Sequence, residues 1–259
     1  MPDLRIVPIS VGRFRNIERS GVLHLVDAGT KIDIVILVWL IEGAGKKILV
    51  DTGWADQVWK DENAPQSSFI GQPDEEISAA LRKNGVTPDE IEIVINTHLH
   101  TDHCFQNCLF QNARFFVQRD ELAFAIAPVS AWQAFAYDSP LVGLTPRWME
   151  TLPRMELIEG DVEIVPGVTA VSLPGHTPGS QGILVETRAG KYLIAGDTIS
   201  QYENWEPRVL RGRFTAKHTH NGLFTDLEAY YRTFDKIEKI ADHILPGHDF
   251  KVLEKSVYP

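Results

Sequence analysis

Two β-sheets covered by helices, an α+β architecture, is the fold this sequence predicts. Three observations predict it. Short β-branched and apolar runs crowd two stretches of the chain, each stretch is followed by a helical pattern, and Gly, Pro, Asn and Asp fill the intervals. A length of 259 residues suits one domain of this kind, and neither a repeat nor a linker divides the chain. Residues 1–259 therefore read as a single domain.

The elements follow in order. Ile34–Ile41 is an apolar run of about eight residues, far below the roughly 20 that span a bilayer, and reads as a buried strand. Lys47–Val50 is a second strand, with the hairpin signal Glu42-Gly43-Ala44-Gly45 between them, and Asp51-Thr52-Gly53 ends it in a tight turn. From Pro73 to Asn84, Ile77, Ala80 and Leu81 fall at helical spacing, with Gly85 as the stop. Ile91–Ile95 is a strand running directly into Asn96-Thr97-His98-Leu99-His100-Thr101-Asp102-His103. Arg114–Val117 is a short strand, and a helix opens near Asp120. Residues 127–153 lack periodicity but carry Trp132, Phe135, Tyr137 and Trp148. Val162–Ile164, Thr169–Leu173, Ile183–Thr187 and Tyr192–Ala195 are four short strands. Asp226 to Ala241 reads as an amphipathic helix, and His243–Leu245 as a last strand before Pro246-Gly247-His248-Asp249.

Composition narrows the function. An apolar fraction of 44% and a charged fraction of 23% are those of a soluble globular protein. With 25 basic and 35 acidic side chains the formal charge is -10, which argues against nucleic acid as partner. Arg208, Arg211, Arg213 and Lys217 form a local basic exception. The N-terminus mixes Asp3, Arg5, Arg13 and Arg15 with short apolar runs and has no secretory core. No membrane partner and a cytoplasmic location are the expectations. Cys104 and Cys108, four apart, would share one face of a helix and form no disulfide.

The chemistry concentrates in His98-x-His100-x-Asp102-His103, four candidate ligands in six residues. Imidazole nitrogen and carboxylate oxygen are a ligand set that zinc accepts at about 2.0–2.2 Å. One histidine alone is usually a core or surface residue; three with an aspartate on the loop after a strand are not. Further candidates sit at strand ends: His176 in Leu173-Pro174-Gly175-His176-Thr177-Pro178-Gly179-Ser180, Asp197 in Ala195-Gly196-Asp197-Thr198, and His248 after Leu245-Pro246-Gly247. A glycine before each ligand allows close backbone approach.

On these motifs, from Asp51-Thr52-Gly53 to His248, the sequence resembles the metallo-β-lactamase superfamily. The resemblance implies an αββα sandwich, two mixed sheets flanked by helices, with the site at one edge of the sheets. It implies that His98, His100 and His176 hold a first metal, that Asp102, His103 and His248 hold a second, and that Asp197 bridges both. Two Zn2+ are expected, with iron or manganese as alternatives. Such a pair, about 3.5–4 Å apart, shares a hydroxide that attacks a carbonyl, because paired charge lowers the pKa of water from about 15.7 toward neutrality. Asp102 or Asp197 then passes a proton to the leaving group. The diiron oxygen reductases of the superfamily differ in a glutamate within the first motif and an attached flavin domain.

Within the superfamily the chain is most similar to the N-acyl homoserine lactonase branch, by its length, the His-x-His-x-Asp-His loop and the ligand spacings. That implies opening of a lactone, an N-acyl homoserine lactone or another small one, as in quorum quenching. Two features depart from the branch. Cys104-Phe105-Gln106-Asn107 replaces its small residues after the Asp-His pair, and Ser200 stands where it places a substrate-binding tyrosine. Tyr202 is the nearest replacement. Trp132 and Phe135 are candidates for substrate contact, lid or homodimer surface, and equally for core packing. His218 and His220 are candidate substrate contacts on a loop. Arg208, Arg211 and Arg213 are a possible carboxylate clamp or a solvated loop. Asp51 is the expected outer support of a ligand. Rival readings are a thioesterase similar to glyoxalase II, another cyclic ester or amide hydrolase, an iron-dependent sulfur dioxygenase and a non-catalytic binding module.

Overall fold

A strand segment that is apolar at every position has no face to offer water, so it must lie between two packed layers. Ile34–Ile41, within the strand Lys31–Glu42, does so. Val35, Leu37, Trp39 and Ile41 point into one core with Ala170, Ile183 and Ile194, while Ile36, Val38 and Leu40 point into another with Ile77, Ala80 and Leu81. Each such side chain stabilises the fold by about 1.5–3 kcal/mol through burial.

The computed structural model describes residues 3–210 and 212–259, and of Ala131 and Trp132 the backbone alone. The first sheet holds β1 (Arg5–Glu18), β2 (Lys31–Glu42), β3 (Ile48–Val50), β4 (Phe69–Ile70), β5 (Ile93–Ile95), β6 (Arg114–Gln118) and β7 (Met155–Ile158), in the order β4-β1-β2-β3-β5-β6-β7. The second holds β8 (Val162–Val165), β9 (Val168–Ser172), β10 (Gln181–Thr187) and β11 (Gly190–Ile194). A separate hairpin of β12 (Arg208–Leu210) and β13 (Phe214–Ala216) precedes its last strand, β14 (His243–Leu245), and the order is β14-β11-β10-β9-β8. The outer face of the second sheet, Val171, Leu184 and Leu193, packs on Tyr230, Phe234 and Ile237 of the helix Leu227–Ile240. Helix, sheet, sheet and helix thus stack as the αββα sandwich expected. Among the described residues no helix is long and apolar enough to cross a membrane.

The differences from the sequence reading have local causes. The 14-residue strand β1 is illegible because bulges between Ser10 and Arg13 and between Phe14 and Ile17 break its alternation. The helix expected from Pro73 begins at Ile77, because the Glu76 side chain accepts the Ser78 and Ala79 N–H groups and fixes the start there. Cys104 closes a one-turn helix and Cys108 lies in the next turn, so they share no helix face; both thiols are free.

Two strand pairings place the site. β3 and β5 run parallel with Val50 beside Ile95, so Asp51 emerges next to the loop that carries His98. β11 and β14 run parallel with Ile194 beside Leu245, so Asp197 and His248 emerge together. Gln181 N–H donates to the Thr97 carbonyl at 2.9 Å, joining the two sheets at this edge.

Candidate metal centre

The loops leaving those strands gather the candidate ligands into two groups. His98, His100, His176 and Asp197 form one and Asp102, His103 and His248 the other, with ligand atoms in each group within 4.8 Å of one another. Close backbone approach makes this possible. A Cβ on Gly247 would lie 2.7 Å from the Gly196 carbonyl oxygen, so the turns before His248 and Asp197 touch only because that residue is glycine.

The outer nitrogens of four imidazoles are all engaged. His103 Nδ1 donates to Asp51 Oδ2 at 2.8 Å, His176 Nδ1 to the Leu223 carbonyl at 2.7 Å and His248 Nδ1 to the Val35 carbonyl at 2.8 Å. His98 Nδ1 lies 3.1 Å from Thr97 Oγ1, whose own proton goes to Asp51 Oδ2 at 2.8 Å. An N–H donated outward fixes the tautomer, so the inner nitrogen carries a lone pair aimed at the shared centre. Those inner atoms crowd together. His98 Nε2 and His176 Nε2 lie 2.9 and 3.1 Å from His100 Nδ1. His103 Nε2 and Asp197 Oδ1 are buried without a hydrogen-bond partner although only 3.2 Å apart. Buried polar atoms are rarely left so. A cation between them satisfies every one, and the set fits two metals.

Charge is arranged accordingly. Burial, then the neighbouring imidazoles, holds His98 and His100 well below the ordinary histidine value, in the neutral form that binds metal. Burial alone would lower His103 too, but Asp102, Asp197 and Asp51 outweigh it and raise it, since their field favours a positive charge at its inner nitrogen, a proton's or, in its place, a metal ion's. Burial alone would raise Asp197, yet the His248 and His103 rings hold it well below the usual carboxylate range. Asp197 divides its oxygens. Oδ1 faces His248 Nε2 at 2.8 Å and His103 Nε2 at 3.2 Å, while Oδ2 faces His176 Nε2 at 3.4 Å. Asp51 adopts φ +58°, a left-handed conformation that costs a non-glycine residue energy, and is held there by bonds to Thr97 and His103.

Two cavities open beside His100. One, of about 290 Å³, includes Val22, Ile34, Asp102, Asp197 and His248; the other, of about 270 Å³, is lined by Phe124, Gln133, Phe135, Leu223 and Phe224. Phe135 is 65% exposed on the wall of the second, whereas Tyr137 and Trp148 are buried in a core with Leu99 and Val117. The expected aromatic stretch therefore splits between wall and core. The side chain of Trp132 lies outside the described residues.

Other candidates fall elsewhere. Tyr202 packs against the inter-sheet core, burial pushes its phenol up, and it lines neither cavity. The structure does not bring it together with the other candidate residues beside His100, where the catalytic role expected of it would place it. Ser200 Oγ accepts from Asn221 Nδ2 at 2.7 Å and supports the Asp197 turn instead of facing a substrate. His218 stacks on Trp205 at 4.0 Å and bonds Glu238 at 2.6 Å. His220 stacks on His24 at 4.3 Å, and both histidines line a separate hollow with Arg208, against the expected substrate contact. Arg208 pairs with Glu203 and so is no free clamp; Arg211 lies outside the described residues. Cys104 Sγ donates to the His100 carbonyl at 3.3 Å and belongs to neither ligand group. The carbonyls of Val35 and Leu223 were invisible in sequence, since every residue offers one.

Known proteins resemble this chain in sequence and fold. The sequence pattern of the metallo-beta-lactamase superfamily matches residues 33–248. An N-acyl homoserine lactonase of Bacillus cereus is 30% identical over 203 residues, covering 74% of this chain and 75% of its own. One from Bacillus thuringiensis is 29% identical over 255 residues, covering 94% and 93%. A solved N-acyl homoserine lactone hydrolase, with the product N-hexanoyl-L-homoserine bound at its catalytic metal centre, superposes with a TM-score of 0.72. It is 25% identical and covers 98% of this chain and 96% of its own. With the paired ligand groups at the edge of an αββα sandwich, these matches show that the chain belongs to the metallo-beta-lactamase superfamily.

Proposed function

We propose that this chain is a dinuclear zinc hydrolase that opens a lactone ring, an N-acyl homoserine lactone or another small lactone. The observation that carries the reading is the division of the Asp197 carboxylate between two groups of inward-facing imidazoles. His98, His100 and His176 would hold one ion, Asp102, His103 and His248 the other, and Asp197 both. Imidazole and carboxylate ligands favour zinc over softer-ligand metals. When bound, the ions supply Lewis acidity and ionise water near neutral pH.

The chain's own residues do the rest. Asp102 stands on the cavity rim, with 21% of its side chain exposed, where it can take up a proton and return it to the leaving alkoxide. Val22 and Ile34 wall the ring's cavity and exclude water. The apolar cavity beyond His100 suits an acyl chain, and Phe135 on its rim would contact it. A homodimer through residues 127–153 belongs to the same reading, supported by the exposed Val129, Phe135 and Leu141.

A panel of acyl-homoserine lactones, other lactones and acyl-glutathione thioesters, with zinc-loaded protein and His103→Ala as control, tests the proposal. Lactone turnover lost in the control is expected. Turnover of thioesters alone, or one iron per chain with oxygen consumption, would overturn it.

A further inference from the structure

One buried acid takes no part in the chemistry above. Glu121, on the helix Arg119–Ile126, is 0% exposed and makes no salt bridge among the described residues, yet its carboxylate gathers three donors. Leu99 N–H donates to Oε1 at 2.9 Å, the Tyr137 hydroxyl to Oε1 at 2.8 Å and the Thr177 hydroxyl to Oε2 at 2.5 Å. Leu99 lies between His98 and His100, and Thr177 follows His176. Tyr137 follows Ala136 of the cavity wall, and its ring lies 4.6 Å from that of His100. One carboxylate therefore ties together the two loops that carry the first metal's three histidines, and ties both to the wall.

The approach is built in. A Cβ on Gly179 would sit 2.1 Å from the Glu121 nitrogen and 2.5 Å from its Cβ, so the turn after His176 reaches Glu121 only with glycine there. Ser180 Oγ lies 2.7 Å from Thr177 Oγ1, close enough to donate to it and leave the Thr177 proton for Glu121. The second group has other supports. Asp51 holds His103 directly and reaches His98 only through Thr97, and the Val35 carbonyl holds His248.

We propose that Glu121 is the positioning residue of the first metal site, setting the spacing of the His98–His100 loop and the His176 turn without touching metal or substrate. This rests on the dinuclear reading given above. Its consequence is asymmetry: Glu121 and Asp51 each govern a different member of the metal pair.

Zinc per chain, measured by equilibrium dialysis against a graded chelator, tests this for the wild type, Glu121→Leu, Glu121→Gln, Thr177→Val and Asp51→Asn. Circular dichroism in the near ultraviolet checks that each is folded. Wild type is expected to hold two equivalents. Glu121→Leu is expected to release one of them at about 10–100-fold lower chelator, the usual effect of losing a group that orients ligands, and to keep the other. Thr177→Val, which removes one of the three bonds and leaves the carboxylate, is expected to shift the same equivalent by a smaller factor. Glu121→Gln still accepts the Leu99 N–H and is expected to restore most of the affinity. Asp51→Asn is expected to weaken the equivalent that Glu121→Leu leaves in place. Cobalt absorption, read at one and two equivalents, assigns which site is lost. A folded Glu121→Leu protein that binds both ions like the wild type, or loses both in parallel, would overturn the inference. A wild type with one equivalent would instead sink the dinuclear reading, and the Glu121 assignment would then be judged by whether that equivalent is weakened in Glu121→Leu.

Discussion

The floor of the site and its wall are held by different forces. On the floor, His98, His103, His176 and His248 are buried, and each has its outer nitrogen engaged by a neighbour. On the wall, residues 127–153 expose Val129, Phe135, Leu141 and Leu144 and are anchored by Tyr137 and Trp148 alone among their large aromatic side chains described. A floor residue answers to several partners at once, so substitution there disturbs chemistry. Of these exposed side chains Phe135 lines the second cavity, so on the proposed reading substitution there is expected to bear on what enters it.

Asp197→Ala attacks the floor where the two groups join. Hydrolysis is expected to fall by about 10³-fold, on the scale of removing a principal electrostatic group from an active site, with kcat/KM as the measure. A loss below tenfold would place the two ligand groups on independent footings. Metal removal comes next. Ligand bound at about 1,000 times its Kd adds about 4 kcal/mol, so stripping metal is expected to lower Tm by roughly 10 °C in a calorimetric scan. An unchanged Tm would mean that the floor is stable without its cations.

The wall should respond on another axis. Phe135→Ala is expected to raise KM for long-chain lactones by about tenfold, leave short-chain ones little changed and move stability by less than about 0.5 kcal/mol. Equal losses across chain lengths would remove Phe135 from the substrate path. Smallest of all, Tyr202→Phe should leave kcat/KM within about twofold, because a hydroxyl that lines neither cavity adds nothing to the transition state. A large loss there would restore Tyr202 to the site and require its turn to move.

The legibility of the sequence follows the same division. His98, His100, Asp102 and His103 announce themselves because all four sit on one loop, and ligand chemistry needs residue types that are rare in such density. His176, Asp197 and His248 are readable as strand-end residues after glycine. Strand β2 is readable because burial on both faces demands an unbroken apolar run. Strand β1 is not, because its bulges spoil the period. Tyr202 and Ser200 differ by two positions, and nothing local says which way either turns. Glu121 looks like any helical acid until Leu99, Tyr137 and Thr177 are seen converging on it.

The residue types, their order along the chain and the two-layered apolar pattern were set by the amino-acid sequence, because a donor atom and a buried face are properties of individual side chains. Whether two groups of ligands meet was decided by the pairing of Val50 with Ile95 and of Ile194 with Leu245, and by the contact of Gly196 with Gly247. Those are relations between segments far apart in the chain, and distance in space, on which coordination and catalysis depend, exists only once they have packed.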